Sequence, residues 1–329
     1  MRRAAAALAL AAALAAAPAA HAAADPCTRW SDRVVTEGLG SLENVEVDAH
    51  GGLLVSASDQ DAIVRITRDG RTSTLVPNVT SPGGLRVRAG VLWFNTGDAA
   101  ASGVFDRADG TLERFDLRTR RRTVFARNLV MPNGLVFLPN GNALTSRDLG
   151  GPPGIYVVPR RHPAKHHVWA QTDDSNGMAV DPTGRYVYVN QTFKADSPVL
   201  RIPTRDPRKI EVLAQVGSAK GLDDMTIDRD GVLYLAANAT GEIIRLNPRT
   251  KRACTIAGGA DAGWRNTSAV KFGCGPGWTS DHLFAVGFDG VVHELTPPAG
   301  LRGVRGDCRD HFVRPKAPRR ATDPEHSPP

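Results

Sequence analysis

Beyond its first two dozen residues, this 329-residue chain has no apolar run long enough to cross a membrane as a helix. It lacks convincing amphipathic helices as well, which points to an all-β protein. No C-x-x-C pair stands among its four cysteines, so a thiolate zinc site has no basis. No G-x-S-x-G turn, Walker loop or Rossmann glycine pattern occurs, and serine-hydrolase and nucleotide chemistry are left without support. Dense basic clusters are also scarce. The formal charge of +7 is spread among interleaved Asp and Glu. Arg118, Arg120, Arg121 and Arg122 read as a turn, and Lys316, Arg319 and Arg320 as part of a solvated tail. No nucleic-acid partner is expected from this pattern.

The chain opens with Arg2 and Arg3, an Ala/Leu run from Ala4 to Ala17, and Ala22-Ala23-Ala24 before Asp25. That is the form of a secretory signal peptide over residues 1–24. A secreted or otherwise extracytoplasmic location follows, with no stable membrane insertion after cleavage. The expected organisation is a domain over 25–311 and a Pro/Arg-rich disordered tail over 312–329. In an oxidising compartment four cysteines favour two disulfides. The expected pairing is Cys27–Cys308, tying the chain ends, with Cys254–Cys274 as a local staple.

What fills the chain is a repeat. A polar residue leads an alternating apolar strand, a turn often written D-x-x-G, and a second apolar strand. Glu43-Asn-Val-Glu-Val-Asp48, Asn176-Gly-Met-Ala-Val-Asp181 and Asp223-Asp-Met-Thr-Ile-Asp228 are the clearest copies. Looser ones begin at Gly83, Asn133 and Ser268, giving spacings of 40, 50, 43, 47 and 45 residues. A period in this range with several strands per unit is that of a propeller blade. The expected fold is a six-bladed β-propeller, with four-stranded antiparallel blades around a central channel and a monomeric state.

In such a blade the innermost strand begins at the mouth of the channel, so the leading residues form a column on one face. Glu43, Asn133, Asn176 and Asp223 would then present two carboxylates and two amide oxygens with a formal charge of −2. That is a hard, all-oxygen shell suited to a divalent cation: Ca²⁺ is favoured, and Zn²⁺ is disfavoured by the absence of His and Cys. Gly83 and Ser268, without a ligand role, leave room for substrate, and Ser268 is itself a candidate substrate contact. A second ring returns to the mouth about fifteen residues after each column position, with Asp98, Arg147, Asp148 and Asn190 as candidate substrate contacts. His162, His166 and His167 lie among Pro, Arg and Lys and read as a surface connection.

The ordered set of Glu43 with Asp48, Pro132-Asn133-Gly134, Ser175-Asn176-Gly177 and Asp223-Asp-Met-Thr-Ile-Asp228 resembles the gluconolactonase, senescence-marker-protein and luciferin-regenerating-enzyme family of six-bladed propellers. The resemblance implies that Glu43, Asn133, Asn176 and Asp223 hold a catalytic divalent metal, usually Ca²⁺ or Zn²⁺. It implies hydrolysis of lactones, with organophosphate esters as the substrates of relatives. Three departures stand out: Asp224 in place of a Gly, Asn44-Val-Glu-Val47 in place of a Gly-Pro-Val-Trp-like run, and Asn190-Gln191 where Asp-Ser is common. The expected function is metal-dependent hydrolysis of a small ester, most readily a lactone. Asp223 is the candidate catalytic base, with Asp98 or Asp148 as alternatives. The competing reading is a non-catalytic exported propeller that binds a sugar or peptide at its mouth around structural calcium. A strictosidine-synthase-like or streptogramin-lyase-like enzyme is a further alternative; those relatives lack the full ligand set or differ in blade count.

Overall fold

A computed structural model describes residues 24–151, 154–301 and 303–308. The expected leader and the tail over 312–329 lie outside these residues, apart from Ala24. The described chain forms six four-stranded antiparallel sheets with one short α-helix, Ala100–Val104. Each sheet is one blade, built in chain order from the axis outward. The innermost strands of blades 1 to 6 are Leu42–Val47, Leu85–Arg88, Leu135–Phe137, Ser175–Val180, Leu222–Ile227 and Thr267–Phe272. The sixth blade takes its outermost strand from the start of the chain: Ser31–Thr36 pairs antiparallel with Val292–Thr296. This closes the ring without a seventh repeat.

Burial follows that radial order. The second strand of blade 1, Gly52–Ala57, is buried throughout, whereas the outer strand Thr72–Val76 is exposed over its first three residues. Cores form between blades rather than within them. Trp30, Tyr234 and Phe272, for example, come from three chain segments and pack edge to face. A single blade has no second face to bury against, which is why the repeats must close on one another.

The disulfide expectation is corrected. Cys27 pairs with Cys254, and Cys274 with Cys308, with Cα separations of 5.7 and 5.8 Å. The reason is the path of the two ends. Before joining blade 6, the N-terminal segment runs beside the outer strand of blade 5, where Trp30 N donates to Ile256 O at 2.7 Å. That places Cys27 at Cys254. The C-terminal segment instead crosses the lower end of the channel, where Gly306 bridges to Asp228 and Cys308 reaches Cys274. Strand pairing closes the ring, and the disulfides fix each end to a neighbouring blade. Among the described residues no helix is long and apolar enough to cross a membrane.

Candidate functional site

Local irregularity in the inner strands sets the site. Pairing with the second strand slips between Leu42 and Val45, between Ser175 and Met178, and between Leu222 and Met225. Each slip falls on a column residue. A bulge takes a residue out of the ladder and re-aims its side chain, here at the upper mouth. The Asn-Gly pairs have a second cause. A Cβ on Gly134 would stand 2.5 Å from Asn176 O, and one on Gly177 would stand 2.4 Å from Asp223 O. Glycine is needed there because the column backbone of the next blade sits directly against it.

The mouth holds a cavity of about 490 Å³ lined by Glu43, Asp98, Asn133, Asp148, Asn176 and Asp223, among others. The four expected ligands are thus brought together, and two of the expected second-ring residues join them. Asp98 takes the place left by Gly83: a Cβ on that glycine would meet Asp98 Oδ2 at 2.9 Å. Asp148 accepts a hydrogen bond from Asn176 Nδ2 at 3.4 Å, and Asp223 Oδ2 accepts one from Asn238 Nδ2 at 3.1 Å. The Asn133 side chain lies beside the carboxyl groups of both Glu43 and Asp98 and favours their ionised forms.

No Arg, Lys or His pairs with any of these four carboxyl groups among the described residues. Desolvation therefore raises all four, and repulsion from neighbouring acids adds to it. Burial, then the charges of Asp148 and Asp224, push Glu43 from 4.5 up to about 8, against the hydrogen bond from Asn133. Burial is also the main cause that lifts Asp148 from 3.8 to about 6. Asp98 and Asp223 are raised well above the ordinary range by burial and by Glu43. Buried oxygens with no hydrogen-bond partner remain on Asp98, Asp148, Asn176 and Asp223, in each case Oδ1. Repelling carboxylates with orphaned oxygens are what a cation would satisfy. The donor set is all oxygen and suits a hard ion such as Ca²⁺, while no His or Cys lines the cavity to favour Zn²⁺. Among the described residues, no three His, Cys, Asp or Glu side chains form a ready metal cluster; the candidate set depends on the two amide oxygens.

Three expected substrate contacts are corrected. Arg147 is 1% exposed and turned away from the cavity, pairing with Asp106 at 2.7 Å and donating to Gly103 O and Leu149 O. Its guanidinium holds the loop of the short helix, which costs less than leaving a buried cation unpaired. Asn190 is fully buried, with Nδ2 donating to the carbonyl of Asp223. Ser268 is also fully buried, and its Oγ donates to Leu42 O at 2.5 Å. Asn190 belongs to a set of clamps the sequence reading did not identify, and Ser268 ties its own inner strand to that of blade 1 in a similar way. Ser56 donates to Gly83 O at 2.6 Å, Asn95 Nδ2 to Asn133 O at 2.9 Å, and Ser146 to Asn176 O at 2.6 Å. Each, like Asn190, is a polar residue in a second strand that clamps the column backbone of the next blade. Their signal was present: Ser56, Asn95, Ser146 and Asn190 interrupt apolar strands 12 to 14 residues after the column. His166 is half-buried and His167 exposed, and their ring nitrogens hydrogen-bond backbone carbonyls, as expected for a surface connection.

Comparison with known proteins agrees with the family resemblance. The profile described as SMP-30/Gluconolactonase/LRE-like region matches residues 145–276. No curated protein matches the sequence. Among solved structures, a gluconolactonase from Xanthomonas campestris is 17% identical, with a TM-score of 0.65 over 82% of this chain and 90% of that one. Regucalcin from Agrobacterium tumefaciens, a calcium-binding protein, is 18% identical, with a TM-score of 0.62 over 85% and 96%. Virginiamycin B lyase from Staphylococcus aureus is 11% identical, with a TM-score of 0.54 over 82% and 99%. At these identities the structural likenesses establish the fold alone.

Proposed function

We propose that this chain is an exported, monomeric, metal-dependent hydrolase of small esters, most readily lactones. The observation that carries the reading is the upper cavity, where buried carboxylates without a protein cation meet two column amides. Glu43, Asn133, Asn176 and Asp223 would hold a divalent cation, with Ca²⁺ favoured. When bound, such an ion supplies Lewis acidity toward a carbonyl oxygen and lowers the pKa of water. The chain's own part is to position and to move a proton. Asp223, or one of the two carboxylates outside the ligand set, Asp98 and Asp148, accepts the proton of the attacking water. The two disulfides are compatible with a protein working outside the cytoplasm. The family profile over residues 145–276 supports the reaction class.

The test is turnover of a lactone panel by the purified protein, with and without chelator. Hydrolysis should disappear with chelator, return with Ca²⁺, and fall at least about a hundredfold in Asp223→Asn. Turnover that is indifferent to chelator would refute the proposal. Calcium binding with no turnover of any ester would favour a non-catalytic binding propeller.

A further inference from the structure

We infer that the non-reacting part of the substrate is an apolar alkyl or acyl chain, seated on the blade 4–6 side of the mouth, and that polyol lactones fit poorly. This rests on the hydrolase reading and adds the side group to it. The cavity is asymmetric. Blades 2 and 3 contribute Asp98, Met131, Asn133 and Asp148. Both phenyl rings and all three alanines, Phe193, Ala195, Ala219, Ala239 and Phe288, come from blades 4 to 6, above the column residues Asn176 and Asp223. Phe193 is 56% exposed and Phe288 39% exposed. Single exposed apolar side chains are ordinary, but two phenyl rings lining one cavity together with alanines form a patch that points to a ligand.

The polar side chains of the same wall are already engaged. Thr192 Oγ1 donates to Leu222 O at 2.8 Å, Asn238 Nδ2 donates to Asp223, and Lys194 faces Asp173 and Asp174, each at 3.4 Å. The unpartnered oxygens of Asp148, Asn176 and Asp223 lie buried beneath, at and beside the candidate ligands. A hydroxyl-rich ring pressed against this wall would give up hydrogen bonds to water without replacement. An alkyl chain there gives up none and leaves water for the phenyl faces.

The experiment compares kcat/KM of the calcium-supplemented protein for δ-valerolactone, δ-decalactone, δ-dodecalactone and D-glucono-δ-lactone. The value should rise with chain length, by up to about fourfold for each methylene that reaches the wall, and gluconolactone should be the poorest of the set. Phe193→Ala should lower the long-to-short ratio about tenfold, and Phe193→Leu, which keeps an apolar side chain, should restore most of it. A preference for gluconolactone, a flat chain-length series, or a Phe193→Ala variant that slows all lactones alike would overturn the inference. If no lactone is turned over, the hydrolase reading fails by itself. Calorimetry with a non-hydrolysable alkyl δ-lactam and with gluconolactam then decides the side group. Tighter binding of the alkyl ligand, weakened by Phe193→Ala or Phe288→Ala, upholds the inference, and equal or weaker binding overturns it.

Discussion

Asp223 and Asp224 are adjacent in the chain and equally hidden, 5% and 4% exposed, yet they belong to different tiers of the channel. Asp223 faces the upper cavity beside Glu43, Asp98 and Asp148, and no basic side chain among the described residues pairs with it; Lys194, at the same cavity, faces Asp173 and Asp174. Asp224 points across the channel, where Asn44 Nδ2 donates to it at 2.7 Å and Arg86 approaches to 3.6 Å. In the same lower tier Lys271 pairs with Glu46 at 2.8 Å. The lower tier neutralises its acids with the protein's own cations and ties blades 1, 2, 5 and 6 across the axis. The upper tier gathers acids and leaves them repelling. Burial is common to both, so burial alone does not mark a functional carboxylate; the missing partner does.

Arg86→Met should break the contrast from below. It removes the cation that faces Asp224, whose hydrogen bond comes from Asn44, and should cost about 3–5 kcal/mol in chemical denaturation, with Arg86→Lys less harmful. Calcium should not restore the loss. A neutral Arg86→Met variant would mean that the lower tier is not held by charge.

The upper tier should respond to pH in the opposite sense from an ordinary salt-bridged acid. A carboxyl that titrates higher in the fold than in the unfolded chain holds an extra proton between the two values, so stability falls as pH rises through that interval. For metal-free protein the decline should run from near 4 to about 6 through Asp148 and on to about 8 through Glu43. Asp148 alone accounts for about 3 kcal/mol between its ordinary 3.8 and about 6. Saturating Ca²⁺, by holding the carboxylates ionised, should flatten the profile between pH 5 and 8. Melting curves across that range check both halves. A metal-free protein whose stability rises with pH would show that the acids are already satisfied.

The smallest effect belongs to the clamps. Asn190→Ala strips the Asp223 carbonyl of its side-chain donor and should cost about 1–2 kcal/mol. It should weaken calcium binding about tenfold, because Asp223 loses its fixed backbone while keeping its carboxylate. No change in affinity would reduce Asn190 to packing alone.

The column was legible because the repeat puts the same strand position at the same place on the axis six times, so four unusual residues in register stood out against apolar strands. Asp98 and Asp148 were legible as residues at the mouth but not as partners of Glu43, since the slot vacated by Gly83 is visible only in three dimensions. Arg147, Asn190 and Ser268 were misread for one reason. A polar residue near a mouth can face the cavity or the neighbouring blade, and strand period alone does not say which; at Asn190 and Ser268 a bulge in the ladder obscures the period further. The disulfide pairing was hidden as well, because an even count of cysteines does not reveal which blade the free ends run beside.

The central claim is that the unpartnered acids of the upper tier hold a cation. Calorimetric titration of the chelator-treated protein with Ca²⁺ tests it most directly, alongside Asp223→Ala and Arg86→Met. The account predicts one tight site in the parent protein, retained in Arg86→Met if that variant folds, and weakened at least about a hundredfold in Asp223→Ala. No measurable binding by the parent, or binding that survives intact in Asp223→Ala, would contradict it.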